Sequence, residues 1–130
     1  MSKATAKVLL IEDSVELAEI IVAVVESMSL QALHEMYGAR AIQVIQDEEP
    51  DLILLDLGLP DMVGWKIMEA LKDGSGPFPI PVVVITAHGD PANRLIGKLQ
   101  EVSAYLIKPC TPDEVRQVIS RVLALDKRAR

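Results

Sequence analysis

The stretch Leu52-Ile53-Leu54-Leu55-Asp56-Leu57-Gly58-Leu59-Pro60-Asp61 places an aspartate after four consecutive aliphatic residues and follows it at once with turn formers. An apolar run without alternation indicates a strand covered on both faces, as in a parallel sheet between helices. A carboxylate at the end of such a strand is costly to bury without a partner. Asp56 is therefore either the point where a strand leaves the core or a reactive group held at its end.

The flanking sequence repeats the pattern. Val8-Leu9-Leu10-Ile11, Val82-Val83-Val84-Ile85 and Ala104-Tyr105-Leu106-Ile107 are equally continuous, while Gln31 to Met36 alternates, contains His34 and Glu35, and reads as an edge strand. Helical periodicity fills the gaps. From Val15 to Met28, Glu16, Glu19 and Glu26 mark a polar face, and Val15, Ala18, Val22 and Val25 an apolar one. Ala39 to Glu48 and Gly64 to Lys72 are shorter candidates, the latter stopped by Gly74. Asp90-Pro91 opens a fourth, weakened by Gly97 in its interior. Thr111-Pro112-Asp113-Glu114 opens the fifth with a capping box and proline at the first helical position. This is a (βα)₅ alternation, implying an α/β doubly wound parallel sheet with right-handed crossovers. The segment Gly74 to Pro79 reads as a loop and Asp126 to Arg130 as a polar tail, so one domain is expected over residues 1–130, with its core at about 7–125.

Composition narrows the function. Half of the 130 residues are apolar and 25% are charged, which is globular rather than disordered. A net charge of −6 and four aromatic residues argue against a nucleic-acid surface. The apolar runs are too short for a membrane span. Met1 to Ala6 leads straight into the first strand, so no signal peptide is expected. The single cysteine, Cys110, excludes an internal disulfide and fits a reducing cytoplasm.

In an open α/β sheet, ligands bind beyond the carboxyl ends of the strands. Those ends are Glu12-Asp13, Asp56, Thr86 and Lys108-Pro109. At about 4–5 Å and an effective dielectric near 20, each carboxylate pair repels by roughly 3–4 kcal/mol. Either a proton on one acid or a hard divalent cation relieves this, and all-oxygen ligands suit Mg²⁺. Lys108 offers a point charge to a phosphoryl group, and Thr86 a hydroxyl donor. Asp56 among these groups reads as a phosphoacceptor nucleophile. The acid pair also suits a helix N-terminus, where Asp13 could cap as well as ligate.

These residues carry a resemblance. Glu12-Asp13, Asp56 with the Leu-Pro-Asp-Met-x-Gly stretch ending at Gly64, Thr86-Ala87, Tyr105 and Lys108-Pro109 resemble the receiver domain of two-component response regulators, as do the spacings of 43, 30 and 22 residues from Asp13 to Asp56, Thr86 and Lys108 in turn. The resemblance covers about Lys7 to Leu125 and implies a flavodoxin-like sheet of order 2-1-3-4-5. It implies that Asp56 takes a phosphoryl group from a sensor histidine kinase or a histidine phosphotransfer protein. Glu12, Asp13, Asp56 and the Gly58 carbonyl would hold Mg²⁺, Lys108 and Thr86 would contact the phosphoryl group, and Thr86 with Tyr105 would form a switch. It further implies a cis Lys108–Pro109 bond. Phosphorylation would alter the face formed by the fourth candidate helix, the fifth strand and the last helix, which would bind an output partner or a second copy. Gly58 and His88, two residues beyond Asp56 and Thr86, are expected to border the path of attacking water and tune dephosphorylation. Cys110 stands where the family often has Phe.

Three other readings meet obstacles in the residues. A phosphohydrolase of the haloacid-dehalogenase type needs an acid two residues beyond its nucleophile, where Gly58 stands. A flavodoxin-like cofactor binder needs a phosphate loop after the first strand, where the acid pair would repel a phosphate. A degenerate interaction module would not need Asp56, Thr86 and Lys108 intact. The expectation is a signalling domain that catalyses only its own phosphorylation and dephosphorylation.

Overall fold

The structure, a computed structural model, describes residues 5–71, 80–87 and 102–127. Its elements run β1 (Lys7–Ile11), α1 (Val15–Ser27), β2 (Gln31–Glu35), α2 (Gly38–Glu48), β3 (Leu52–Asp56), α3 (Trp65–Leu71), β4 (Val82–Thr86), β5 (Ala104–Ile107) and, as the last helix, α4 (Pro112–Lys127). All strand pairs are parallel, in the order β2-β1-β3-β4-β5. The helix expected from Asp90, the Gly74–Pro79 loop, Lys72 and His88 lie outside the described residues.

Side-chain alternation divides the core into two layers. Val8, Leu10, Leu52, Leu54, Val83 and Ile85 pack beneath α1 and α4, where Ile21, Val25, Val115 and Ile119 meet them. Leu9, Ile11, Ile53, Leu55, Val82 and Val84 face the other way, toward Ala41, Ile45, Trp65, Ile67 and Met68. Every residue of β3 and β4 is buried, whereas β2 and β5 at the edges are only partly so. Covering both faces of the central strands is what the uninterrupted aliphatic runs make possible, each fully buried side chain contributing about 1.5–3 kcal/mol. Among the described residues no helix is long and apolar enough to cross a membrane.

Three local expectations change. The buried stripe of α1 is Ala18, Ile21, Val24 and Val25, while Val15 is 54% exposed. At 100° per residue Val15 lies roughly a third of a turn from that stripe, so its apolar side chain is not part of the core face. The cap of α1 is Ser14, whose hydroxyl accepts the Leu17 N–H at 3.3 Å, so Asp13 is not the capping residue. The last helix runs to Lys127 and takes in two residues read as tail. Its start agrees with the capping box: Thr111 and Glu114 exchange bonds of 2.8 and 3.1 Å.

Gly64 shows how tightly the loop after β3 is closed. Its N–H donates to the Leu57 carbonyl at 3.0 Å, and a Cβ there would stand 2.8 Å from the Asp56 carbonyl oxygen and 3.1 Å from Leu57 Cα. Both are backbone atoms and cannot rotate aside. Gly64→Ala is expected to lower unfolding stability by about 1–3 kcal/mol, the range for overpacking. A urea midpoint equal to the wild type would mean that the loop shifts freely.

Candidate functional site

The parallel sheet brings every strand's carboxyl end to one edge, and there Glu12, Asp13, Asp56, Thr86 and Lys108 meet. Glu12 follows β1, with its N–H donating to the Glu35 carbonyl at 3.0 Å. Asp56 and Thr86 close β3 and β4 and are 4% and 8% exposed, while Glu12 is wholly buried. Lys108 follows β5, where its N–H donates to the Thr86 carbonyl at 2.7 Å and its bond to Pro109 is cis, as expected.

One ammonium serves two acids. Lys108 Nζ lies 3.2 Å from Asp56 Oδ2 and 3.3 Å from Glu12 Oε2. The other oxygen of Asp56 accepts the Gly58 N–H at 3.0 Å, and Glu12 Oε2 also accepts the Ser14 N–H at 3.0 Å. Glu12 Oε1 is 3.2 Å from the same Nζ but off the direction of a hydrogen bond, leaving a buried carboxylate oxygen with no such bond. Burial pushes the Glu12 carboxyl up to about 7, the Asp56 charge adding to the rise while Ser14 N–H and Lys108 oppose it. Burial disfavours the Lys108 charge, but Asp56 and Glu12 outweigh it and hold the ammonium above the ordinary lysine value.

Asp13 is exposed and completes the group: one carboxylate oxygen each from Glu12, Asp13 and Asp56 lie within 4.8 Å of one another. Three oxygen donors so close, beside a buried Glu12 oxygen without a hydrogen bond, fit a hard cation. Above them opens a cleft of about 400 Å³ lined by Asp13, Asp56, Gly58, Val63, Thr86 and Lys108, among others. Tyr105 is half-buried on β5, in register with Val84, and packs on the core layer beneath α2 and α3.

The surroundings include residues that sequence reasoning gave no role. His34 on β2 places Nε2 2.8 Å from the Glu12 carbonyl oxygen, so this nitrogen carries the proton and donates. Asp61 accepts the N–H groups of Gly38 and Ala39 at 2.8 and 3.1 Å, which hold its carboxyl below the usual range. It thereby caps α2, whose own N-cap, Tyr37, makes no side-chain bond, and ties the loop after Asp56 to that helix. Val63 pairs with Gly58 across an antiparallel bridge and lines the cleft. Ser14 had a signal in its place before an apolar helical run; His34, Asp61 and Val63 had none, because their partners are set by strand register for His34 and by loop geometry for the other two.

The family model for the response regulator receiver domain matches residues 8–120. Regulatory protein LuxO of Vibrio cholerae is 40% identical over 86 residues, which are 66% of this chain and 18% of that protein. The phosphate regulon transcriptional regulatory protein PhoB of Pseudomonas aeruginosa is 31% identical over 93% of this chain and 52% of its own length. The chain thus spans about half of one of these relatives and less than a fifth of the other. Among solved structures, the signal receiver domain of a putative LuxO repressor protein from Vibrio parahaemolyticus superposes with a TM-score of 0.87 at 31% identity, covering 95% of this chain and 94% of that one. Sequence, topology and the acid-lined strand ends agree, and the chain belongs to the response regulator receiver domains of two-component signalling.

Proposed function

We propose that Asp56 accepts a phosphoryl group from a sensor histidine kinase or a histidine phosphotransfer protein, with Mg²⁺ held by Glu12, Asp13, Asp56 and the Gly58 carbonyl. The observation that carries this reading is the shared ammonium: Lys108 bonds Glu12 and Asp56 together beneath an open cleft, with Asp13 beside them. One cation against three acids leaves room for a divalent ion, and the donor set fits one. When bound, that ion neutralises the carboxylates and the oxygens of the incoming group.

Transfer needs an in-line approach. An Asp56 carboxylate oxygen attacks phosphorus as the P–N bond to the donor imidazole breaks and its electron pair returns to the ring. Lys108, already 3.2 Å from that carboxylate, is placed to follow the charge onto a phosphoryl oxygen. Gly58 N–H holds the other carboxylate oxygen and so orients the nucleophile. Thr86, at the cleft wall, donates its hydroxyl to the new oxygens. Its movement frees space for Tyr105 to rotate, and the change reaches the surface of β5 and α4. There an output partner or a second copy binds. Beyond its own phosphorylation and dephosphorylation the domain turns over no substrate.

Incubation with a small acyl phosphate and Mg²⁺ tests the reading. Peptide mapping should place a single acid-stable, base-labile phosphoryl group on Asp56, and EDTA should suppress it. Label on another residue, or indifference to EDTA, would contradict the assignment.

A further inference from the structure

We infer that Val63 shields the acceptor carboxylate from water and thereby sets the lifetime of the phosphoryl group, a role that rests on the phosphoacceptor reading above. Residues directly opposite in an antiparallel bridge carry their side chains on the same face, with Cβ atoms about 4.5–5.5 Å apart. Gly58 and Val63 are such a pair. The face concerned is shown by Gly58 itself: among the described residues, a Cβ built there meets only Asp56 Oδ1, at 3.9 Å. The Val63 isopropyl group therefore stands on the Asp56 side of the loop, next to the space that Gly58 leaves open. It lines the same cleft as Asp56, Thr86 and Lys108 while remaining 54% exposed. A lone exposed valine is ordinary on a protein surface. This one borders the reacting atom.

Loss of the phosphoryl group requires a water oxygen to bond to phosphorus as the bond to Asp56 breaks. Inorganic phosphate and the free carboxylate leave, and the water's proton passes to solvent. A branched apolar group beside that path offers the water no hydrogen bond and narrows its approach. An alanine at 63 opens the path, and an isoleucine closes it further. Because Gly58 and Val63 flank one gap, a methyl group at 58 should restore part of what alanine at 63 removes. Gly58 lies outside the left-handed region, and among the described residues its new Cβ would make only ordinary contact, so an alanine fits there.

The test follows decay of acyl-phosphate-labelled protein after donor removal, in the wild type, Val63→Ala, Val63→Ile, and Val63→Ala combined with Gly58→Ala. Expected decay rates rise in the order isoleucine, valine, alanine, with alanine faster than wild type by at least about threefold and the double variant slower than Val63→Ala. Circular dichroism melts check that each variant is folded, which the exposure of Val63 favours. Labelling of the wild type with equal decay in all variants overturns this inference alone. Faster decay in Val63→Ile, or no rescue in the double variant, also overturns it. No labelling of the wild type overturns the phosphoacceptor reading and this inference with it.

Discussion

Lys108→Ala is expected to slow phosphorylation of Asp56 by a small acyl phosphate by at least about a hundredfold, the scale of removing one preorganised charge-stabilising donor. The ammonium contacts Asp56 at 3.2 Å and Glu12 at 3.3 Å, and among the described residues no other cation is paired with either acid. Its removal acts twice. The transition state loses a charge that would track the phosphoryl oxygens, and two buried carboxylates face each other without compensation. The raised Lys108 pKa gives the sign for stability. A cation held above its unfolded value contributes stability that is complete below about 10.5 and fades only as pH climbs through the higher folded value. The variant should therefore be less stable than the wild type throughout the neutral range. Lys108→Arg keeps the charge but spreads it over a planar fork, and should recover stability better than rate. A Lys108→Ala rate within about threefold of the wild type would remove the ammonium from the reaction.

Most of this site could be read from the sequence for a geometric reason. Aliphatic runs mark where each strand stops, and a parallel sheet delivers all its carboxyl ends to one edge. Residues as distant as Glu12 and Lys108 could therefore be assigned to one place from chain order alone, and the distances agree. The same logic fails wherever position depends on rotation or loop shape. Val15 has an apolar side chain and helical spacing, yet it is exposed because the α1 stripe is centred on Ile21 and Val25. His34 reaches Glu12 only because β2 lies beside β1 in a register that pairs it with Leu10. Asp61 looked like a turn residue of its own loop, whereas its bonds go to Gly38 and Ala39 on another helix. Val63 is brought to the cleft that Asp56 lines by a bridge to Gly58 that no periodicity announces. Polar strand ends are thus legible one strand at a time, and the residues that steady them are not.

The acid cluster should also make the metal-free protein less stable as pH rises, and Glu12→Gln should abolish that loss. Burial raises the Glu12 carboxyl from 4.5 to about 7, helped by the charge of Asp56. Below about 4.5 the group holds its proton in both folded and unfolded chains, so folding carries no penalty. Between 4.5 and 7 the unfolded chain gives up the proton while the folded one keeps it, so stability falls as pH increases. Above 7 both are ionised and the loss reaches its full size, on the order of 3 kcal/mol for that gap. Glutamine at 12 stays neutral, can accept from Ser14 and Lys108, and can offer its amide N–H to Asp56 as the protonated acid does. Urea unfolding in EDTA should therefore find Glu12→Gln more stable than the wild type at pH 8 and equal to it near pH 4. Taking the difference between the two proteins cancels other groups that titrate over the same range. Millimolar Mg²⁺ should stabilise the wild type at pH 8 by mass action and the variant much less, since the ion replaces the proton that Glu12 has lost. A difference that stays flat from pH 4 to 8 in EDTA would show that the buried acid is already compensated by Lys108. The need for a cation would then have to rest on Asp13 and Asp56 alone.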